Sequence, residues 1–238
     1  MWIQAETGPT AGRPVSPVHG DPSTNQTPTG FAQREYWPFT VRVASGRADL
    51  DKVVAIRHAA YARHLPPSLS EALQKPETTD LLAGVTLLLA ESNLDGSPLG
   101  TMRIQTNRFV PLALEQSVRL PSWMDGKVLA EATRLGVTPE HSGRLVKAAL
   151  FKAYYRYCLA SGVDFMVITA RSPLDRQYQR MLFKDVVPGA GYQPLAHVFN
   201  LPHRVMYLNV KQVRGQWESV QHPMLAFMCH TEHPSLRL

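Results

Sequence analysis

Two apolar segments joined by a tight turn set the strongest constraint on the fold of this chain. Residues 84–91 and 99–106 have the composition of β-strands, and Asp95-Gly96-Ser97-Pro98 between them is a hairpin-turn sequence. Residues 127–137, which follow an irregular stretch containing two prolines, predict a further strand. The chain is therefore expected to build its centre on a sheet that contains an antiparallel pair.

Helical patterns on either side of these strands complete the predicted fold. Val53, Ile56 and Ala60 recur at the spacing of one helix face, and Leu65-Pro66-Pro67 ends that helix. The other predicted elements are a strand at 39–43, a helix at 68–75, a long helix from 138 to 161 with Leu145, Ala149, Tyr155 and Leu159 facing inward, a buried strand at 163–170, a helix from 173 to 183, and two strands between 192 and 210 that Leu201-Pro202 interrupts. This order predicts an α/β (α+β) fold with a mixed sheet and helices on both faces.

Composition divides the 238 residues into three segments. Residues 1–37 are rich in Pro, Gly, Ser and Thr and hold few large apolar side chains, so we expect a flexible tail. Because the chain is 44% apolar and 18% charged, residues 38–212 are predicted to form one domain around one core. Residues 213–238 show little periodicity and are predicted to form a C-terminal extension.

Several classes of protein are not expected. Cys158 and Cys229 lie far apart without metal-ligand spacing, so neither a disulfide framework nor a metal site is predicted. The longest apolar stretch, residues 81–90, is shorter than the ~20 residues that cross a bilayer, so we expect a cytoplasmic protein with no integral membrane association. The net charge of +6 favours an acidic partner, but no zinc-finger, basic-zipper or RNA-binding signature predicts a nucleic acid.

Two charged residues lie inside an apolar predicted strand. Glu131 and Arg134 stand among Leu, Ala and Val residues, where a charge is costly unless it is paired or used. Strict alternation would put the two side chains on opposite faces, so a common site requires a β-bulge or a splayed strand. A structural ion pair and an active site both remain open at this point.

Arg103 is a second charged residue among apolar neighbours, in Gly100-Thr101-Met102-Arg103-Ile104. Arginine binds carboxylates and phosphates through a bidentate fork. Arg103 and Arg134 can therefore hold an anionic substrate, or they can neutralise Glu131 and Asp80.

These strands resemble those of a known family. Gly100-Thr101-Met102-Arg103 and Leu129-Ala130-Glu131-Ala132-Thr133-Arg134-Leu135-Gly136-Val137 are similar to the central strands of acyl-homoserine-lactone (autoinducer) synthases and N-acyl amino acid synthases, two GNAT-like families. In both, a helix-borne arginine, an acidic loop, a Gly-x-x-Arg strand and a Glu-x-(Ser/Thr)-Arg strand follow in order. Arg57, Glu77 with Asp80, Arg103, and Glu131 with Arg134 reproduce that order. With a similar continuation, the resemblance runs from Phe39 to Val210.

The resemblance implies a GNAT-like mixed central sheet of about six to seven strands and an N-acyltransferase activity. The expected reaction moves a long-chain fatty acyl group from an acyl carrier protein to the amine of an amino acid. The tight spacing and the aromatic pair of the lactone synthases are absent around Arg57 to Asp80, which weighs against a lactone product. An autoinducer-type synthase, an acetyltransferase using acyl-CoA and a non-catalytic GNAT-shaped binding module are the alternatives.

The same resemblance implies roles for individual residues. Glu131 would accept the amine proton, and Arg103 or Arg134 would bind the carboxylate of the acceptor. The acceptor pocket would also include Arg57, Glu77, Asp80 and Thr133. Tyr178 corresponds to a tyrosine that would protonate the departing thiolate, although a buried tyrosine anchoring its helix to the sheet is the alternative. The nine histidines show no ligand pair and are interpreted as surface or core residues.

The loop before the long helix bears on the acyl donor. An ordinary GNAT loop holds the coenzyme A pyrophosphate with glycine N–H groups, whereas Glu140-His141-Ser142-Gly143-Arg144 has one glycine. This departure favours an acylated phosphopantetheine arm on a carrier protein over free acyl-CoA, and no permanently bound cofactor is expected. The predicted donor-binding residues are Val137, Gly143, Arg144 and Lys147. Arg144, Lys147, Lys152 and Arg156 could meet an acidic carrier or form an ordinary solvated helix face.

Overall fold

A mixed sheet forms the centre of the structure, a computed structural model that describes residues 33–139 and 142–238. The strands are β1 (Gln33–Arg34), β2 (Phe39–Val43), β3 (Val85–Ser92), β4 (Pro98–Thr106), β5 (Leu129–Val137), β6 (Phe165–Ala170), β7 (Lys184–Asp185), β8 (Gln193–Leu195), β9 (Leu201–Asn209), β10 (Thr231–Glu232) and β11 (Leu236–Arg237). The helices are α1 (Gly46–Ala62), α2 (Pro67–Ser70), α3 (Ser142–Ala160), α4 (Leu174–Arg180) and α5 (Val213–Ser219). The predicted tail lies outside the described residues as far as residue 32.

The sheet has nine strands within the described residues, in the order β11-β2-β3-β4-β5-β6-β9-β7, with β8 paired to β9. Neighbours from β2 to β5 run antiparallel, and β5 and β6 run parallel. β9 pairs antiparallel with β6, β7 and β8. The mixed sheet confirms the predicted fold class. The strands beyond the predicted number are short edge strands of two or three residues, which leave no periodic pattern in the sequence.

The predicted hairpin is the β3–β4 pair. Its turn is held by Asp95, whose Oδ1 accepts hydrogen bonds from the N–H and the hydroxyl of Ser97 at 3.0 and 2.8 Å. Gly96 follows Asp95 with a φ of 69°, a conformation that glycine adopts without a steric penalty. The central strands of the sheet therefore start from a locally encoded element.

Two glycines allow helices to approach the sheet from opposite faces. A Cβ on Gly100 would lie 2.6 Å from Cγ1 of Val146 in α3, and a Cβ on Gly136 would lie 3.0 Å from Cβ of Ala60 in α1. Val146 and Ala60 are buried. The helices on both faces confirm the expectation, and the close packing of α1 brings its Arg57 over β4 and β5.

The long helix differs in detail from its prediction. It begins at Ser142 rather than at 138, and Leu145 and Leu159 are 39% and 47% exposed, so they do not face inward. Ala149 and Tyr155 are buried as predicted. The buried side of the helix also includes Val146, Leu150, Phe151, Ala153, Tyr154 and Cys158. The prediction for Leu145 and Leu159 is wrong because apolar residues lie around much of this helix, so their spacing does not determine which face is buried.

The predicted interruption at Leu201-Pro202 is wrong, and the C-terminal residues have regular structure that their sequence did not predict. Leu201 and Pro202 lie inside β9, where they pair only with the edge strand β8, so the missing proline N–H breaks no ladder in the centre of the sheet. Residues 213–238 contain α5, a π-helical turn, β10 and β11. Trp217 of α5 is fully buried and meets Tyr155 edge to face, with ring centroids 5.5 Å apart.

Lys152 belongs to this C-terminal packing and not to a solvated helix face. Its side chain is fully buried, and Nζ donates to the carbonyls of Phe227 and Thr231 at 2.5 and 2.6 Å. Nζ also lies 2.7 Å from Nδ1 of His233. Lys152 therefore cannot meet a carrier protein in this structure. Among the described residues, no helix has the length and apolar character needed to cross a membrane.

Candidate active site

Five charged side chains from four separate parts of the chain meet on the α1 face of the sheet. Arg57 of α1 donates to both carboxylate oxygens of Asp80, at 3.0 and 2.9 Å, and to Glu77 at 3.2 Å. Arg103 of β4 donates to Glu77 and Asp80, each at 3.1 Å. Arg134 of β5 binds Glu77 through Nε and Nη2. Three guanidinium groups thus surround two carboxylates, and the cluster carries an excess positive charge.

The acidic loop of the cluster is organised by its own backbone. Asp80 Oδ2 accepts the N–H of Glu77 at 2.8 Å, which starts a one-turn 3₁₀ helix at residues 78–81. Burial by itself raises the pKa of Asp80, but the hydrogen bond and charge of Arg57 outweigh it and lower the pKa below its usual value. The pKa of Glu77 is lowered in the same way, against burial, chiefly by Arg134. Both carboxylates are therefore charged at neutral pH.

A β-bulge brings Arg134 to this face. Thr101 pairs with Gly136, but Arg103 pairs with Thr133, so β5 has one more residue than β4 across this interval. Arg134 occupies the bulge with a φ of 54°. Nε of Arg103 donates to the Thr133 hydroxyl at 3.0 Å, which places Arg103, Thr133 and Arg134 on one side. Of the two irregularities that a common site would require, a bulge or a splayed strand, β5 contains the bulge.

Neither arginine neutralises Glu131. The Glu131 side chain is fully buried, and its Oε2 accepts the N–H of Leu114 at 3.2 Å. Its Oε1 lies 3.3 Å from Nε2 of His197, but without hydrogen-bond geometry, and it has no hydrogen-bond partner among the described residues. Glu131 is thus a buried carboxylate with one free oxygen, next to the arginine–carboxylate cluster and separate from it.

Glu131 lies where two parallel strands stop pairing. β5 and β6 are paired from Leu129 and Phe165 to Ala132 and Ile168. β5 then continues to Val137 and β6 to Ala170 without further pairing between them. Backbone N–H groups of β5 beyond Ala132 are therefore not used by β6, and they could polarise a carbonyl in this cleft.

His197 is part of the site and was not identified from the sequence. Its carbonyl accepts a hydrogen bond from Arg134 Nη2 at 3.1 Å, and its Nε2 lies 3.5 Å from the hydroxyl of Thr169. Phe199, two residues after His197, places its ring centroid 5.7 Å from the Arg134 guanidinium carbon. A single histidine in a short turn without periodicity gave no signal by which to place it.

Two tyrosines lie close to the site. Burial raises the pKa of Tyr61, whereas the charges of Arg134 and Arg103 act to lower it. Burial raises the pKa of Tyr178 to about 12, and Tyr61 adds to that shift. The ring of Tyr178 packs between those of Phe151 and Phe183, with centroids 6.4 and 5.5 Å away. Tyr178 thus anchors α4, and its hydroxyl stays protonated at neutral pH.

The predicted donor-binding residues lie where β5 leads into α3. A Cβ on Gly143 would lie 2.4 Å from the carbonyl oxygen of Thr138, so only glycine fits this turn. Val137 ends β5 and its carbonyl accepts from Arg63 at 2.8 Å. Arg144 is exposed, and half-buried Lys147 donates to Gln177 at 2.8 Å. Glu140 and His141 of this loop lie outside the described residues. Within the part that is described, no three His, Cys, Asp or Glu side chains form a metal-binding group.

Comparisons with known proteins bear on this arrangement. A sequence model of the N-acyl amino acid synthase FeeM family matches residues 52–207. The structure of FeeM, an N-acyl amino acid synthase from uncultured soil microbes, is similar with a TM-score of 0.60 and 20% identity over 80% of this chain and 97% of that one. The AHL synthase LasI gives 0.52 and 13% over 72% and 90%, and a putative N-acetyltransferase from Lactobacillus plantarum gives 0.51 and 14% over 72% and 98%. No curated protein matched.

Proposed function

The chain belongs to the N-acyl amino acid synthase FeeM family and is an N-acyltransferase, and we propose that it transfers a long-chain fatty acyl group from an acyl carrier protein to the amine of an amino acid. The observation that carries this proposal is Glu131, a fully buried carboxylate with one oxygen free of hydrogen bonds, in the cleft where β5 and β6 separate. A buried carboxylate without a paired cation is costly unless it is used.

Glu131 acts as the base in the proposed reaction. The acceptor amine attacks the thioester carbonyl, the new C–N bond forms, and the C–S bond breaks. Glu131 takes a proton from the amine, and backbone N–H groups of β5 beyond Ala132 stabilise the negative charge on the carbonyl oxygen. The hydroxyl of Tyr178 donates a proton to the departing thiolate. Glu131 and these N–H groups belong to β5, and Tyr178 belongs to α4, which follows β6 in the chain.

The charged cluster binds the carboxylate of the amino acid in this proposal. Arg103 and Arg134 already contact Glu77, so they do not offer a free bidentate fork. The cluster nevertheless has one more guanidinium than carboxylates, and the Glu77 side chain is 22% exposed. An acceptor carboxylate approaching this edge is attracted by the excess charge, and its amine then points towards Glu131. Arg57, Asp80 and Thr133 hold the two arginines in position.

The donor is assigned to the edge formed by the β5–α3 turn. Gly143 allows the chain to turn tightly, and Arg144 and Lys147 offer positive charge to the phosphate of a phosphopantetheine arm and to an acidic carrier surface. Burial, followed by the charge of Arg144, lowers the pKa of Lys147. The single glycine of the loop supports a carrier-bound donor over free acyl-CoA.

A reconstituted assay tests the proposed function. Purified chain is incubated with palmitoyl carrier protein or palmitoyl-CoA and a mixture of amino acids, and the products are separated by mass spectrometry. We expect N-acyl amino acids, formed faster from the carrier protein. A lactone from a methionine-derived acceptor would support the autoinducer alternative, and acetyl transfer from acetyl-CoA would support the acetyltransferase.

Glu131→Gln is the matched variant in this assay. It keeps the size and the hydrogen bond to Leu114, and it removes the base, so we expect a loss of turnover of about 10²-fold or more with an unchanged melting temperature. Glu71→Gln, at an exposed position, is the control. Unchanged turnover in Glu131→Gln would remove Glu131 from the role of base. Carrier binding without any product in the wild type would favour the binding-module alternative.

A further inference from the structure

The turn that carries His197 is built to a defined shape. Residues 196–198 form one 3₁₀ turn between β8 and β9. Phe199 and Asn200 follow with φ values of 61° and 55°, the left-handed region that non-glycine residues rarely adopt. The turn is closed by a hydrogen bond from the N–H of Asn200 to the Leu195 carbonyl at 2.9 Å. Two consecutive left-handed residues are retained only where the surrounding contacts determine the conformation.

Contacts from two sides hold this turn against β5. The N–H of Ala196 donates to the Ser117 hydroxyl at 2.8 Å, and Arg134 donates to the His197 carbonyl. The Phe199 ring packs beneath the same guanidinium. His197 is therefore fixed by backbone contacts, and the one hydrogen-bond contact of its imidazole among the described residues is the Thr169 hydroxyl, 3.5 Å from Nε2.

The imidazole lies beside the free oxygen of Glu131, close enough for a small rotation to make a hydrogen bond. Nε2 of His197 is 3.3 Å from Oε1 of Glu131, and the two side chains are 5% and 0% exposed. Nδ1 of His197 and Oε1 of Glu131 are both buried without a hydrogen-bond partner among the described residues. A buried polar atom without a partner destabilises the fold, so an arrangement serving stability alone would have closed the hydrogen bond between Nε2 of His197 and Oε1 of Glu131. Glu131 of β5 and the Thr169 hydroxyl of β6 lie beside Nε2 of the imidazole. The other charged or titratable groups near His197 are Arg134 of β5, which binds its carbonyl, and His203 of β9.

We propose that His197 is the proton partner of Glu131, so that the two side chains act as a dyad on the acceptor amine. The inference rests on the proposed function. At neutral pH the amine of an amino acid is an ammonium, which must lose a proton before its lone pair can attack. Glu131 takes that proton and passes it to Nε2 of His197. His197 acts through Glu131 and is therefore a positioning residue. It orients the carboxylate, and by taking the proton it leaves the carboxylate free to accept the next one.

The protons of the whole reaction balance with such a dyad. The ammonium loses its first proton to the dyad, the neutral amine forms the C–N bond, and the C–S bond breaks with its electron pair on sulfur. The nitrogen then loses a second proton, and the thiolate gains one to become a thiol. One proton in total is released for each amide formed. A fully buried carboxylate alone can hold one proton at a time, and the imidazole supplies the second acceptor.

Three variants separate a proton partner from a structural residue. His197→Gln keeps a polar group able to hold Glu131 in place, and His197→Ala removes it. We expect both to lower kcat by about 10²-fold with a smaller change in the KM of the acceptor, and both to displace the ascending limb of the pH–rate profile. His64→Gln, at an exposed histidine, leaves rate and profile unchanged. Full activity and an unchanged profile in His197→Gln, with or without a loss in His197→Ala, would overturn the inference.

A measurement independent of turnover separates this inference from the proposed function. In ¹⁵N-histidine-labelled protein, the resonance of His197 Nε2 is assigned by its absence in His197→Gln. We expect Glu131→Gln to shift this resonance and Glu71→Gln to leave it in place. An identical Nε2 shift in Glu131→Gln would show that the two side chains do not interact, and would overturn the dyad whether or not the wild type makes amides. If the wild type made no amide but Glu131→Gln still shifted the His197 Nε2 resonance, the proposed function alone would be wrong.

Discussion

Both side-chain oxygens of Glu77 accept hydrogen bonds from Arg134, at 2.7 Å from Nε and 2.5 Å from Nη2. Arg134 reaches Glu77 because it occupies the bulge in β5. The side chain of Arg134 is 5% exposed and that of Glu77 is 22% exposed, so water screens the pair weakly. Its coupling energy should therefore exceed that of an exposed ion pair.

We expect a double-mutant cycle of Glu77→Gln and Arg134→Met to give a coupling of about 2 kcal/mol in the free energy of unfolding. Urea titrations of the wild type, both single variants and the double variant measure it. The exposed pair Arg47–Asp51, with side chains 78% and 57% exposed, is the control and should give less than about 0.5 kcal/mol. Equal couplings at the two sites would contradict this account of the cluster.

The stabilising effect of Asp80 should depend on pH in a defined direction. In the folded state the pKa of Asp80 lies below its ordinary value of 3.8, because Arg57 and the Glu77 N–H outweigh the opposing effect of burial. As the pH falls below that value, Asp80 is protonated in the unfolded chain but not yet in the folded chain, so its contribution to the free energy of unfolding decreases. It is fully present above the unfolded pKa.

We therefore expect Asp80→Asn to destabilise the protein by about 3 kcal/mol between pH 5 and 7, with a smaller difference from the wild type below about pH 4. Urea unfolding at a series of pH values measures it. Asp51→Asn, at an exposed position, should have a small effect at each pH. A difference that grows as the pH falls would contradict the lowered pKa.

Local patterns were enough to predict much of the fold. The β3–β4 hairpin follows from a turn sequence between two apolar runs, and α1 follows from a regular apolar stripe that ends at prolines. Alternation alone required a bulge or a splayed strand between Glu131 and Arg134 if the two charges were to share a face, and the bulge lies at Arg134. These features depend on neighbours in the sequence, which is why they could be predicted.

The partners of the charges depended on contacts that the sequence does not display. Arg134 pairs with Glu77, 57 residues away, and not with Glu131 three positions before it. His197 and the C-terminal packing around Lys152 belong to short turns without periodicity. Such contacts are set by how distant elements meet, and no spacing rule encodes them.

The β5–α3 turn offers a third prediction. We expect Gly143→Ala to destabilise the protein by about 2 kcal/mol, although alanine favours helices, because its Cβ would lie 2.4 Å from the Thr138 carbonyl oxygen. The displaced turn should also raise the KM for the acyl donor more than that for the amino acid. Thermal unfolding and initial rates measure the two effects.

Gly215→Ala in α5 is the matched control for that substitution. No atom lies within 4 Å of a Cβ at Gly215, so alanine there should leave stability unchanged or raise it by up to about 1 kcal/mol. If Gly143→Ala behaved like Gly215→Ala, the turn would have room for a side chain and the glycine would not be required by this geometry.

Tyr178 provides the last prediction, since its hydroxyl is assigned to the departing thiolate. Burial keeps its pKa at about 12, so the hydroxyl remains protonated at neutral and mildly alkaline pH. We expect Tyr178→Phe to lower kcat by about 10²-fold, with the same ratio to the wild type at pH 7 and pH 9. The phenyl ring keeps the packing against Phe151 and Phe183, so the melting temperature should change little.

A donor with a better leaving group distinguishes proton donation from anchoring at Tyr178. The thiolate of an acidic thiophenol departs from an acyl thioester readily without protonation, so such a donor should restore most of the rate of Tyr178→Phe. A variant that had merely loosened α4 would remain slow with either donor. Tyr36→Phe, at a tyrosine that is 70% exposed, should match the wild type with both donors. An equal loss in Tyr178→Phe with both donors would assign Tyr178 to packing alone and leave protonation of the thiolate to water or to another group.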